Sequence, residues 1–329
     1  MIISKTPYRI SLFGGGTDIP SYYTKHGGQV IGFTIDKFSY LFLKETNRML
    51  GYKYRIVYSK HEITNSLNKI KHPSVRETLK YYNFRKPVEI THNGDLPALS
   101  GMGSSSSFTV GLCKIIKFLN KKQHNKYELA NDAIDIEQNK IKEIVGSQDQ
   151  TFAAFGGLNR IKFNKSGKID VKGINLSLKN KELLEQSSLL VFTGKVRFAS
   201  KIEEKKVKNL KFITKDLKVL NEIVDESISI FQEKKLNIKK IGSLLHKSWT
   251  IKQNLTNNVS NPHLNMIYKK AMKYGAYGGK LLGAGGGGFF YFLCEKKNKA
   301  ELIKKLNLKH IDFKIGDEGS KIIFENRKS

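Results

Sequence analysis

Residues 95–120 read DLPALSGMGSSSSFTVGLCKIIKFLN, a pattern that indicates a strand end, a glycine and serine loop, and then a helix. Gly101 and Gly103 leave the backbone free to turn several N–H groups toward one side. A helix that begins near Ser104 adds its unpaired first-turn N–H groups and the positive end of its dipole. The stretch therefore predicts a pocket for an anion, and the apolar stripe of the helix predicts packing against a sheet.

Four consecutive hydroxyl side chains, residues 104–107, follow the glycines. Helix capping uses only one or two of them, so the surplus favours ligation of a phosphate or a metal; an ordinary capped turn is the alternative. Two other phosphate loops are excluded. The chain lacks the Lys that a GxxxxGK[ST] loop requires, and Ser106 stands where a dinucleotide-binding fold needs its third glycine.

The composition is typical of a soluble enzyme. The chain has 329 residues, 39% of them apolar, enough for one large domain or two ordinary ones. It contains neither a signal-peptide pattern nor an apolar run of membrane-spanning length, so we expect a cytoplasmic protein without a membrane segment. The two cysteines, Cys113 and Cys294, do not form a CxxC pair, which argues against a disulfide framework and a zinc site.

The charge is strongly basic, with 58 basic and 29 acidic side chains and a net charge of +29. The lysines are spread over nearly all predicted helices, opposite the apolar stripes, and no recognised nucleic-acid-binding module is present. We therefore expect no nucleic-acid partner. A positive surface would still attract anionic substrates.

The order of predicted elements indicates an α+β protein. In the first third, β-rich runs separated by turn residues predict a mostly antiparallel sheet, at residues 29–35, 39–45, 52–58 and 88–92. The second half is predicted to hold three helices, at residues 206–233, 238–255 and 263–274. A strand pair at residues 280–294, a short helix from residue 298 and a last strand at residues 321–324 are predicted to follow. We place a domain boundary near residue 185, which separates residues 1–185 from 186–329.

Two carboxylates stand out. A predicted helix over residues 127–145 has an inward stripe of Ala130, Ile134, Glu137, Ile141 and Ile144. A carboxylate at a core-facing position needs a cation or a donor, so Glu137 is interpreted as a Mg²⁺ ligand or as half of a structural ion pair with a Lys. Asp149 follows just past the end of this helix. Taken alone, it could be a cap or turn residue.

Two more glycine-rich stretches flank the first, PYRISLFGGGTDIP at residues 7–20 and LLGAGGGGFFYFL at residues 281–293. The second stretch satisfies GxGxxG, but a strand pattern follows it, which excludes a dinucleotide site. Such glycines let the backbone approach a ligand or another element closely. Together, PYRISLFGGGTD, PALSGMGSSSS and KLLGAGGGGF resemble the three motifs of the GHMP kinase family, in the family's order and over nearly the whole chain. GGGTD, GSQDQ, FTGKVR and SWTIKQNLTNNVSNPH most resemble the family's heptose 7-phosphate kinases, and fucose kinases share part of this pattern.

The resemblance implies an N-terminal domain with a left-handed βαβ crossover, a ferredoxin-like C-terminal domain, and an active site between them. It implies ATP and Mg²⁺ as cofactors, Asp149 as the catalytic carboxylate with Arg9 beside it, and Glu137 and Ser105 as the metal ligands. The ATP phosphates would lie over Leu99, Ser100, Gly101, Met102, Gly103, Ser104, Ser105 and Ser106. The substrate-binding positions would be Gly15, Gly16, Thr17, Asp18, Gly285 and Gly286, with Arg197 for a distal phosphate unless it belongs to the general basic surface.

The implied reaction is phosphorylation of the anomeric hydroxyl of a sugar phosphate. The substrate implied by the resemblance is D-glycero-D-manno-heptose 7-phosphate and the product the 1,7-bisphosphate, on the route to nucleotide-activated heptose for surface polysaccharide. Two alternatives remain open: a kinase for an unphosphorylated sugar such as fucose, and a non-catalytic protein that binds a nucleotide or a sugar. A homo-oligomer is compatible with each interpretation.

Overall fold

The structure is a computed structural model and describes residues 1–196, 200–256 and 259–326. Its strands are β1 (Ile2–Phe13), β2 (Gly28–Glu45), β3 (Tyr54–Val57), β4 (His61–Thr64), β5 (Val88–Gly94), β6 (Leu158–Phe163), β7 (Ile169–Gly173), β8 (Ser188–Phe192), β9 (Ala276–Leu281), β10 (Phe289–Cys294), β11 (His310–Ile311) and β12 (Lys321–Glu325). Its helices are α1 (Pro20–His26), α2 (Pro73–Tyr81), α3 (Ser104–Leu119), α4 (Lys126–Asp135), α5 (Gln148–Phe155), α6 (Leu178–Ser187), α7 (Ser200–Lys208), α8 (Leu210–Phe231), α9 (Ile238–Asn254), α10 (Pro262–Lys273) and α11 (Lys299–Leu306).

The first sheet is built around the long antiparallel pair β1 and β2. Its main order is β12-β1-β2-β5-β3-β4, and β6 with β7 extends from the first half of β2. The strands β3 and β5 are parallel, and the chain between them contains β4 and α2. The sequence predicted two strands, at residues 29–35 and 39–45, but the structure has the single strand β2 there. The strand β1 pairs with both parts of β2, and the pairing register shifts near Arg9 and Ser11.

The second sheet is smaller and antiparallel, with the order β11-β8-β10-β9. Every residue of β10 is buried, as its FFYFLC sequence predicts. One cluster of buried apolar side chains spans both sheets and the stripe of α8, and includes Phe33, Tyr291, Leu190, Leu217 and Leu220. The mixed, two-sheet architecture confirms the predicted α+β class. The boundary near residue 185 stays a prediction, and β12 pairs with β1 of the first sheet.

Two predicted helices are wrong in their extent. The helix predicted over residues 127–145 ends as an α-helix at Asp135 and continues as a π-helical turn, Ile136–Lys140, closed by the bond from Ile141 N–H to Ile136 C=O at 2.8 Å. Ile144, expected on its inward stripe, is 37% exposed. The helix predicted over residues 206–233 is divided at Asn209 into α7 and α8. Within the described ranges, no helix is both long and apolar enough to cross a membrane.

Candidate active site

One cavity brings the three glycine-rich stretches together. Its wall includes Gly15 and Gly16 of the first stretch, Gly101, Gly103, Ser104, Ser105 and Ser106 of the second, and Gly283, Gly285 and Gly287 of the third. The stretches lie far apart in the sequence, so their meeting is a property of the tertiary structure. The cavity is therefore the candidate active site.

The serine loop ends where α3 begins. Gly103 caps the helix with φ 76°, and Gly101 has φ 80°, a left-handed conformation that favours glycine. Ser104 and Ser105, in the first turn of α3, line the cavity, and the first-turn N–H groups of a helix have no partner within the helix. Leu99, also left-handed with φ 60°, lines the same wall, whereas Ser100 and Met102 are fully buried beneath it. This arrangement can hold an anion through backbone N–H groups.

The third glycine stretch supports the loop by backbone packing. A Cβ atom on Gly283 would lie 2.6 Å from the Cα atom of Gly101, and Phe289 N–H donates to Ser100 C=O at 3.3 Å. Glycine is therefore required where the two backbones meet. Gly285 lines the cavity, whereas Gly286 donates its N–H to Val259 C=O at 2.9 Å.

Arg9 on β1 and Asp149 in the first turn of α5 form a bidentate ion pair. Arg9 Nε donates to Asp149 Oδ1 at 2.7 Å, and Nη2 donates to Oδ2 at 2.6 Å. Arg9 is buried, and its Nη1 also donates to Gly101 C=O at 2.7 Å. The Asp149 side chain is 24% exposed toward the cavity. The pair thus connects the carboxylate to the serine loop, and Asp149 lies within the start of a helix rather than past a helix end.

Asp18 and Thr17, both predicted to bind the substrate, differ in their relation to the cavity. Asp18 lines the cavity, and its carboxylate accepts from the N–H groups of Gly16 at 3.0 Å and Gln148 at 3.3 Å. Burial, together with the nearby charge of Asp149, raises the pKa of Asp18. Thr17 is fully buried, and its hydroxyl donates to the carbonyls of Gly14 and Gln29. The expectation that Thr17 contacts a sugar does not fit this geometry; Thr17 instead holds the turn that positions Asp18.

Glu137 lies on the π-helical turn and is 1% exposed. Its Oε2 accepts from Ser106 Oγ at 2.9 Å and from Gln150 Nε2, while its Oε1 has no partner among the described residues. Burial and the charge of Glu143 raise the pKa of Glu137 to about 7, and the hydrogen bonds from Ser106 and Gln150 oppose that rise. The buried ion pair with a Lys, an alternative from the sequence, is not among the ion pairs that the structure describes.

The residues around Glu137 fit Mg²⁺. The described residues contain no group of three or more His, Cys, Asp or Glu side chains that could hold a metal ion alone. Mg²⁺, however, is usually bound by one or two carboxylates together with phosphate oxygens and waters. Glu137, which has an unpartnered carboxylate oxygen, lines the same cavity as three serines, and this set of oxygen-bearing residues suits that requirement. It is Ser106 that contacts Glu137, whereas Ser105 is exposed toward the cavity.

Several cavity residues were not predicted from the sequence. Glu203, Lys206, Lys252 and Lys280 all line the cavity, and the three lysines are buried. A signal existed for Lys252, which follows Ile241, Leu245 and Ser248 on the buried stripe of α9 at spacings of four, three and four. This position was not recognised as buried because lysines are abundant on the exposed faces of the predicted helices. Arg197, predicted to bind a distal phosphate, lies outside the described residues.

The chain is similar to known proteins over nearly its whole length. The model for the N-terminal domain of GHMP kinases matches residues 68–157, and the model for their C-terminal part matches residues 227–309. The chain is 31% identical to the D-glycero-alpha-D-manno-heptose 7-phosphate kinase of Campylobacter jejuni, over 97% of this chain and 98% of that protein. It is 27% identical to the mevalonate kinase of Methanocaldococcus jannaschii, over 93% of this chain and 96% of that protein.

The fold agrees with these matches. The crystal structure of a D-glycero-D-manno-heptose 1-phosphate kinase from Bacteroides thetaiotaomicron has a TM-score of 0.81 to this chain at 22% identity, and the two cover 99% and 100% of each other. That likeness shows a shared fold. The motif resemblance is confirmed by the family models and by the relative with 31% identity. The chain belongs to the GHMP kinase family and is an ATP-dependent small-molecule kinase.

Proposed function

We propose that the chain transfers the γ-phosphoryl group of ATP to the anomeric hydroxyl of D-glycero-D-manno-heptose 7-phosphate and produces the 1,7-bisphosphate. The observation that carries this proposal is the single cavity that holds the serine loop, the Arg9–Asp149 pair and the buried Asp18. The choice of sugar is supported by the 31% identity to a heptose 7-phosphate kinase.

The serine loop would bind the phosphates of ATP through the N–H groups of residues 101–106 and the serine hydroxyls. Phosphoryl transfer depends mainly on positioning and on stabilisation of negative charge, which such donors provide without reorganisation. Glu137 and a hydroxyl of Ser105 or Ser106 would hold Mg²⁺. When bound, the metal neutralises charge on the phosphate oxygens.

Asp149 would orient the attacking hydroxyl. The hydroxyl oxygen bonds to the γ-phosphorus as the bond to the leaving oxygen of ADP breaks, and its proton passes to the Asp149 carboxylate. Both carboxylate oxygens already accept from Arg9, which fixes their direction and leaves their remaining lone pairs for the sugar. Orientation is therefore the larger part of its contribution.

Asp18 and the turn at Gly15 and Gly16 would bind the sugar. The Asp18 carboxylate is held rigidly by two backbone N–H groups and faces the cavity next to Asp149. A buried carboxylate that keeps free lone pairs can accept from sugar hydroxyls, which fixes the ring relative to Asp149.

The test is a phosphate-transfer assay with ATP over a panel of heptose 7-phosphate, free heptose, fucose and galactose. We expect the highest kcat/KM for heptose 7-phosphate, and phosphorus NMR of the product should place the new phosphate on the anomeric oxygen. Equal use of free heptose would contradict the sugar-phosphate assignment, and a preference for fucose would support the alternative kinase. Absence of transfer to every sugar of the panel would contradict the proposed substrate class.

A further inference from the structure

Three buried lysines line the cavity beside Arg9 and have no part in the proposed function. Lys206, Lys252 and Lys280 are 3%, 5% and 3% exposed. A buried ammonium group is costly unless an anion or several acceptors stabilise it, so each lysine requires an explanation.

Two of the three are explained in part by contacts within the protein. Lys252 on α9 donates to the carbonyls of Leu281 and Gly283, and so holds the turn that supports the serine loop. Lys206 on α7 pairs with Glu203 at 2.7 Å. Each of these contacts leaves at least one N–H of the ammonium group for another acceptor.

Lys280 on β9 is the least satisfied of the three. Its Nζ donates to Leu12 C=O at 2.9 Å, and no carboxylate pairs with it among the described residues. The ammonium group lies beside the first glycine stretch, because a Cβ atom on Gly15 would be 4.0 Å from Nζ. Lysine has three donors, so two of its N–H groups remain for a ligand in the cavity.

The charges around Lys280 are mostly positive. Burial, together with repulsion from Arg9 and Lys206, lowers the pKa of Lys280 to about 7, and the charge of Asp18 opposes the shift. Lys252 is close enough to interact with Lys280 as well, and its own pKa is lowered mainly by burial. Arg9 is already paired with Asp149. An anion that enters between Lys280 and Lys206 would therefore relieve both desolvation and repulsion.

We propose that Lys280 and Lys206 form a second phosphate site in the cavity, beside Gly15 and distinct from the serine loop. The inference rests on the proposed function, because phosphate is the anion that both the donor and the acceptor of that reaction carry. Two phosphates could occupy the site: the distal phosphate of the sugar, and the phosphoryl group during transfer. Both present several oxygens that share negative charge, and each of the two ammonium groups has N–H donors left for such oxygens.

A proton should enter the site with the phosphate. Above pH 7 much of Lys280 is neutral, and a bound dianion favours its charged form, so binding should take up a proton at this residue. This coupling gives a readout that is independent of catalysis and of the identity of the sugar.

The first test is calorimetric titration of inorganic phosphate into the MgADP-saturated protein at pH 8, in two buffers of different ionisation enthalpy. We expect proton uptake in the wild type, and about 10- to 100-fold weaker binding without that uptake in Lys280→Met. Met keeps the apolar stem and removes a buried charge, so the variant should fold.

Lys206→Met should weaken phosphate binding too. Lys218→Met, on the exposed face of α8, is the matched control and should behave as the wild type. Unchanged affinity and proton uptake in Lys280→Met would overturn the proposal.

The second test identifies the occupant by kcat/KM for phosphorylated and free heptose. A loss in Lys280→Met that is confined to the phosphorylated sugar assigns the site to the distal phosphate. An equal loss for both sugars assigns it to the transferred phosphoryl group, and no loss for either contradicts a role in the reaction. If the wild type used neither sugar, the proposed function would fail, while the calorimetric result would still decide whether the phosphate site exists.

Discussion

Replacement of Asp149 by Asn tests the central element of the site. The side chain keeps its shape but loses its charge and one of its two acceptor oxygens, so one of the two bonds from Arg9 is lost. Arg9, 4% exposed, then keeps a buried charge with a single neutral acceptor at this position. A charge-assisted hydrogen bond contributes about 1.5–3 kcal/mol. Because the Asp149 side chain is 24% exposed, solvent weakens the effect, and we expect a loss of about 1–2 kcal/mol in the free energy of unfolding.

The effect on catalysis should be much larger than the effect on stability. Loss of an oriented proton acceptor should lower kcat by about 10² to 10⁴, with little change in the KM for ATP. The assays are urea denaturation and steady-state kinetics with ATP and heptose 7-phosphate. A matched control is Asp317→Asn, which removes a bidentate but exposed ion pair with Lys181 and should change neither quantity measurably.

Two results would refute this reasoning. A folded Asp149→Asn protein with near-normal kcat would remove Asp149 from the mechanism. A fall in kcat matched by a large rise in the KM for ATP would mean that the Arg9–Asp149 pair acts chiefly by holding the serine loop through Gly101.

Three further predictions concern the metal, the loop support and acid stability. Glu137→Gln should raise the Mg²⁺ concentration needed for half-maximal activity, because one anionic ligand becomes neutral; an unchanged Mg²⁺ titration would exclude Glu137 as a ligand. Gly283→Ala should raise the KM for ATP and lower thermal stability, because the new Cβ atom would collide with Gly101. Gly167 also has a left-handed backbone, but a Cβ atom there would have no neighbour within 4 Å. Gly167→Ala is therefore the control and should lower the free energy of unfolding only by the backbone cost of about 1–2 kcal/mol. Burial lowers the pKa of His72 in the folded protein to about 4. The unfolded state therefore binds a proton at this residue more readily than the folded state does. As the pH falls from 6.5 to 4, the free energy of unfolding should decrease by at most about 3 kcal/mol. His72→Asn, which can still cap α2, should flatten that pH dependence in urea titrations, and a profile as steep as the wild type's would assign the acid lability to other groups.

Much of the fold and part of the site could be predicted because they depend on local patterns. The glycines and serines of residues 99–107 specify a loop that opens a helix, since left-handed backbone angles and helix capping involve neighbours in the chain. The burial of Glu137 was also predictable, because its place on an apolar stripe survives the change from an α-helix to a π-helical turn. The three motifs were sufficient to identify the family.

Tertiary structure alone decided which of these residues face each other. Arg9 meets Asp149 across 140 residues, and the hydroxyl of Thr17 turns to the backbone of Gln29 rather than to the cavity. The buried lysines Lys206 and Lys280 could not be separated from the many exposed lysines, because burial depends on how α7 and β9 pack around the cavity. The sequence by itself determined the local backbone geometry and the family, since both follow from neighbouring residues. The directions and charge environments of the site residues, and the burial of Lys206 and Lys280, were decided by long-range packing, which no local pattern encodes.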